Sequence, residues 1–235
     1  MEQRFLIKDG NPRLTLLFSG WGGEESLFSC YRPAGSDYML CWDYRSLDFR
    51  PGLLAGYREI KVVAWSLGVW VAGQVLKGTE ADITEMTAVN GTLIPADDRY
   101  GIPETVFRGT LERMDGTVLQ KFRRRMCGSR EGLQAFISRN PSRPVEELKE
   151  ELANLYSAIR QEPSTGRHGE EEPRWSRAVV STGDLIFPAA NQIAAWEGKV
   201  PVDVCEGPHY SEKIFMEVLG SPAGASGADR RGTGL

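Results

Sequence analysis

A chain of 235 residues with a formal net charge of −4 carries no global positive field to draw it to nucleic acid or to an anionic membrane. With 41% apolar and 26% charged residues it has the composition of a globular protein able to bury a sizeable core, and no apolar run approaches the ~18 residues of a bilayer span. Residues 1–8 lack the apolar stretch of a secretory leader, and Cys30, Cys41, Cys127 and Cys205 show no CxxC or metal spacing, so a reduced, cytoplasmic protein without a metal site is expected.

The first half of the chain alternates short apolar runs with turns. Residues 14–18 (Leu-Thr-Leu-Leu-Phe) form the first run and end in Ser19-Gly20-Trp21-Gly22-Gly23. Residues 38–42 form a second, ending at Asp43-Tyr44. Residues 60–64 form a third, which leads directly into Ser66, and residues 67–76 then read as a helix. Residues 85–89 form a fourth run, ending at Asn90-Gly91. Buried runs of this length alternating with helices predict an α/β fold with a mostly parallel sheet covered on both faces.

From residue 103 to 173 the strand signals stop, and helical spacing governs 118–122, 133–137 and 148–159. Glu146, Glu147, Glu150 and Glu151 place acid early in the last of these helices, where the helix dipole favours it. Residues 162–173 are polar and rich in Pro and Gly, which reads as a loop. The sheet resumes with a strand at 178–182, a helix at 191–196 and a strand at 200–205. The expected organisation is a core of 1–102 and 174–219, a helical cap inserted at 103–173, and a disordered Gly/Ala-rich tail at 220–235.

The segment Ala64-Trp65-Ser66-Leu67-Gly68 carries the chemistry. A nucleophilic serine on a sharp strand-to-helix turn, flanked by small residues, is the mark of the α/β-hydrolase fold. Here Ala64 replaces the usual first glycine, and a strand-like run precedes Ser66 while a helix follows it. Acyl transfer also needs two N–H donors where the carbonyl oxygen becomes negative. The Leu67 amide supplies one, and Trp21 in the glycine-rich loop supplies the other.

The fold requires an acid and then a histidine after the serine. Only His168 and His209 are available. His168 lies in a polar charged loop before the last two strands, whereas His209 follows the last strand and is assigned as base. Asp184, just after the strand at 178–182, is the favoured acid. Asp97 and Asp98, beyond the fourth run, are its rivals, and Asp43 precedes Ser66 and breaks the order. The chemistry so assigned needs no cofactor and no metal.

Gly20-Trp21-Gly22, Trp42-Asp43-Tyr44, Trp65 before Ser66, Asn90-Gly91-Thr92 with Pro95, Gly101-Ile102-Pro103, Phe107 to Thr110, and the segment Asp184-x-Ile186-Phe187-Pro188-x-x-Asn191-Gln192 together resemble the BioG family. That family comprises pimeloyl-[acyl-carrier protein] methyl ester carboxylesterases of biotin synthesis. The resemblance spans about residues 1–218. It implies that Ser66, with His209 as base, attacks the methyl ester of a pimeloyl chain on acyl carrier protein, releasing methanol. Trp65 and Phe187 are expected to wall the substrate pocket. Arg123, Arg124 and Arg125, with Lys121, Arg130, Arg139 and Arg143 nearby, are expected to dock the acidic carrier. A carrier thioesterase or general carboxylesterase would use the same triad, and a binding module on this fold would lack a triad member.

Overall fold

The computed structural model describes residues 1–161 and 173–222. In chain order the elements are β1 (Glu2–Ile7), β2 (Arg13–Phe18), α1 (Glu25–Phe28), β3 (Asp37–Trp42), a 3₁₀ turn (Pro51–Leu54), β4 (Glu59–Trp65), α2 (Leu67–Val75), β5 (Ile83–Val89), α3 (Glu104–Glu112), α4 (Gly116–Cys127), α5 (Arg130–Ser138), α6 (Val145–Gln161), β6 (Arg177–Ser181), α7 (Ala189–Trp196), β7 (Val202–Cys205) and α8 (Glu212–Leu219). The loop expected at 162–173, His168 with it, and the tail expected at 220–235 lie outside the described residues, apart from Pro173 and residues 220–222.

The seven strands form one sheet in the order β1-β3-β2-β4-β5-β6-β7, with β1 antiparallel to β3 and every other pair parallel. The chain leaves β2 toward β3 on one side and leaves β4 toward β5 on the other. The crevice at the carboxyl ends of β2 and β4 is therefore the switch point, where open α/β sheets bind ligands. Ser19 to Gly23 and Ser66 both emerge there.

Strand alternation sorts the core into two layers. Ile60, Val62 and Ala64 of β4 join Leu16, Phe18, Met39 and Cys41 on one face. Val63 and Trp65 join Leu17, Tyr38 and Leu40 on the other. Strands buried on both faces need no polar alternation, which is why they read as continuous apolar runs. β1 and α8 do not stand out in the sequence. β1 is an edge strand pairing only with β3, and half its residues are polar (Glu-Gln-Arg-Phe-Leu-Ile).

Among the described residues, four helices stand between β5 and β6. The Asp115 side chain caps α4 by accepting from Val118 N, and Ser129 caps α5 by accepting from Gly132 N. Gly128, with φ 71°, makes the left-handed break between them. In α6, Leu148, Leu152, Leu155 and Ile159 recur at helical spacing and belong to the same apolar cluster as the sheet residues Leu16 and Val62. No helix among the described residues is long and apolar enough to cross a membrane.

Candidate active site

Ser66 sits between the last residue of β4 and the first of α2 with φ 60° and ψ −130°. This is a conformation that costs a non-glycine residue about 1–3 kcal/mol and persists only where the surroundings enforce it. The enforcement is close packing. A side chain at Gly68 would stand 2.2 Å from the Ser19 carbonyl oxygen, and one at Gly91 would stand 2.3 Å from the Ser66 carbonyl oxygen. Ala64, by contrast, buries its methyl group in the core, so the departure from the usual glycine is absorbed there.

His209 Nε2 lies 2.9 Å from Ser66 Oγ, and His209 Nδ1 lies 2.8 Å from Asp184 Oδ2. All three residues are buried. Asp184 Oδ1 accepts from the amides of Ile186 and Phe187, each at 2.8 Å, and Oδ2 accepts from Gln192 Nε2 at 3.0 Å. With its other bonds so fixed, the carboxylate presents one oxygen to the imidazole. The histidine backbone is held as well: its carbonyl accepts from Trp65 Nε1 at 3.0 Å and from Asn90 Nδ2 at 2.9 Å.

Asp97 and Asp98 stand elsewhere. Asp97 accepts from the amides of Arg99 and Tyr100, and Asp98 accepts from the amide of Glu104, so both carboxylates close local turns. Asp43 is ion-paired with Arg45.

Trp21 occupies the first central position of a turn closed by Gly23 N–H donating to Gly20 O at 3.0 Å. Leu67 is the first residue of α2, where an amide has no acceptor inside the helix. A cavity of about 440 Å³, within the range of small-molecule sites, is lined by Ser66, Leu67 and Trp21 together with Ile102, Phe107, Val118, Phe122, Leu152, Leu185 and Ile186. Arg113, Lys121 and Arg125 also line it, and all three are exposed.

Three expectations change. Trp65 and Phe187 do not line this cavity. Alternation along β4 turns Trp65 to the face opposite Ala64, and both rings pack on His209, Phe187 stacked at 5.9 Å and Trp65 tilted at 5.3 Å. Arg123 is half-buried, its guanidinium 5.5 Å from the centre of the Phe136 ring, because it shares a helix face with the buried Leu119, Met126 and Cys127. Arg124 and Arg125 are exposed, and Arg125 stands at the rim of the cavity. Arg139 is paired with Glu212, and Arg143 is buried against Glu151 and Asp43. The residues that sequence reasoning gave no task are Asn90, Gln192 and Glu151. Asn90 and Glu151 act through bonds to residues far away in the chain, and Gln192 through bonds to the nearby Asp184 and Phe187.

The sheet order, the strained serine turn and the Ser66–His209–Asp184 chain define an α/β-hydrolase. The family described as "Pimeloyl-ACP methyl esterase BioG" matches residues 1–218, and the chain belongs to that family. The crystal structure of BioG from Haemophilus influenzae is 36% identical, covers 93% of this chain and 100% of its own, and superposes with a TM-score of 0.82. A protein of Bacteroides fragilis named malonyl-[acyl-carrier protein] O-methyltransferase is 45% identical over 216 residues, 90% of this chain. This chain spans only 42% of that relative's length. An esterase from Exiguobacterium antarcticum, 11% identical with a TM-score of 0.62, covers 92% of this chain and 89% of its own and shares the fold.

Proposed function

We propose that this protein is a serine carboxylesterase that hydrolyses the methyl ester of pimeloyl-[acyl-carrier protein], giving methanol and the free carboxylate. The observation that carries the chemistry is the hydrogen-bonded run from Asp184 through His209 to Ser66. The imidazole takes the Ser66 proton as Oγ attacks the ester carbonyl. Asp184 holds the tautomer and stabilises the imidazolium that forms. The developing oxyanion is received by the Leu67 and Trp21 amides, with the N-terminus of α2 adding its positive end. The imidazolium returns its proton to the departing methoxide, and water then repeats the sequence on the acyl-enzyme.

Three observations support this substrate. The family's description names it. The apolar cavity beside Ser66 suits a methylene chain, and a rim of Arg113, Lys121 and Arg125 suits an acidic carrier protein. The methyl transfer in the Bacteroides relative's name would create a carrier-bound methyl ester, the bond this reading requires. The helices of 103–161 act as the cap that closes the cavity, and docking passes from Arg123 to Arg124 and Arg125. The carrier and its esterase meet in the cytoplasm.

The test is incubation with pimeloyl-carrier methyl ester, measuring methanol and free carrier thiol. Methanol release with the thioester intact is expected; release of free carrier alone would make the protein a thioesterase. Reversing charge with Arg124→Glu and Arg125→Glu together should raise KM for the carrier-bound ester by about tenfold. Free dimethyl pimelate should be affected much less. Equal losses on both substrates would place the carrier elsewhere.

A further inference from the structure

The turn that bears Trp21 is gripped from α6 as well as from the sheet. Trp21 Nε1 donates to the Leu148 carbonyl at 2.7 Å. Gly22 N donates to Glu151 Oε2 at 3.4 Å, and Tyr44 N donates to Glu151 Oε1 at 2.9 Å. Arg143 Nη1 donates to Glu151 Oε2 at 2.7 Å and to the Gly23 carbonyl at 3.3 Å, while its Nη2 lies 3.1 Å from Asp43 Oδ1.

The Glu151 side chain is wholly buried and that of Arg143 is 9% exposed. Burial pushes the Glu151 carboxyl up, and the Arg143 guanidinium and Tyr44 amide oppose it. A buried ion pair is poor value for stability alone, since desolvation offsets most of the attraction. What this one does is geometric. Its oxygen contacts the amide immediately after Trp21, and its guanidinium holds the carbonyl two residues after Trp21. The indole bond to Leu148 fixes the same residue through its side chain.

We propose that Glu151 is a positioning residue for the oxyanion-binding turn, fixing the direction of the Trp21 amide through Gly22 and through Arg143 on Gly23. This rests on reading that amide as an oxyanion donor. Binding of a tetrahedral mimic should then depend on Glu151, while ground-state binding of an ester should not.

The experiment uses the full chain and its Glu151→Ala and Glu151→Gln variants. It reads hydrolysis of p-nitrophenyl butyrate, the Kd of phenylboronic acid (which forms a tetrahedral adduct on a serine) and the thermal midpoint. Removing an oxyanion donor outright costs about 10²–10³ in rate, so a displaced one should lower kcat about 10- to 100-fold. Boronate affinity should fall in parallel, with KM changed less than about twofold. Glu151→Gln keeps one acceptor and should lose less. Unchanged kcat and boronate affinity in both variants, whatever the thermal midpoint, would overturn the proposal, as would a rise in KM alone. If the Ala variant fails to fold, the Gln variant decides by the same two readings. Should the unaltered protein neither turn over the ester nor bind the boronate, the serine-hydrolase reading itself fails and this inference falls with it.

Discussion

Ser66→Ala should remove turnover almost entirely, with kcat lowered by about 10⁶ as expected when a triad nucleophile is lost. The substituted protein should keep its fold. Ser66 Oγ bonds only to His209 among the described residues, and the strained backbone at φ 60° is enforced by the close packing at Gly68 and Gly91 rather than by the hydroxyl. Binding of the carrier-bound ester should therefore survive, and a trapped complex should be recoverable by titration. Combining Ser66→Ala with His209→Ala should cost no more than either change alone, because the two act as one unit. Single-turnover methanol release is the measurement. Residual activity within about tenfold of the original would mean that another group attacks the ester.

Asp184→Asn should lower kcat by about 10⁴, and the hydrogen bonds explain why. Oδ1 accepts from two backbone amides, so the amide oxygen of an asparagine would settle there. Its NH₂ group would then face both His209 Nδ1 and the Gln192 donor. The imidazole would have to accept at Nδ1 and carry its proton on Nε2, the tautomer that cannot take a proton from Ser66. A rate near normal would refute the assignment of Asp184 and turn attention to Asp97 or Asp98. Both of those carboxylates are occupied in capping local turns.

What the sequence made legible follows from how local each signal is. The strands from β2 to β6 announce themselves because each is a short, largely buried run ending in turn residues, β7 is a short half-exposed run ending in the same kind of turn, and the serine turn is a pattern of five adjacent residues. Two histidines in 235 residues left little room for choosing a base. The missed parts depend on side-chain contacts that residue type alone does not reveal. Asn90 reaches His209 across 119 positions and Gln192 reads as an ordinary helix residue. Glu151 is one of four acids near the start of α6 that look alike in sequence, yet it is fully buried while Glu150 is exposed. Arg123 departs from its expected docking role for a related reason. In a run of three arginines, only the helical phase separates the one facing α5 from the two facing water.

The pairing of Phe18 with Ala64 joins β2 to β4 at the centre of the sheet. The oxyanion turn and the nucleophile thus hang from neighbouring strands that cannot separate unless the entire sheet does. Backbone protons of Leu16 to Phe18 and Val62 to Ala64 should be among the slowest to exchange, whereas the edge strand β1, which pairs with β3 and carries no site residue, should fray while the site stays assembled. Competence and folding are lost together in such a molecule: heating should extinguish activity and structure in a single step, with no inactive folded species between them.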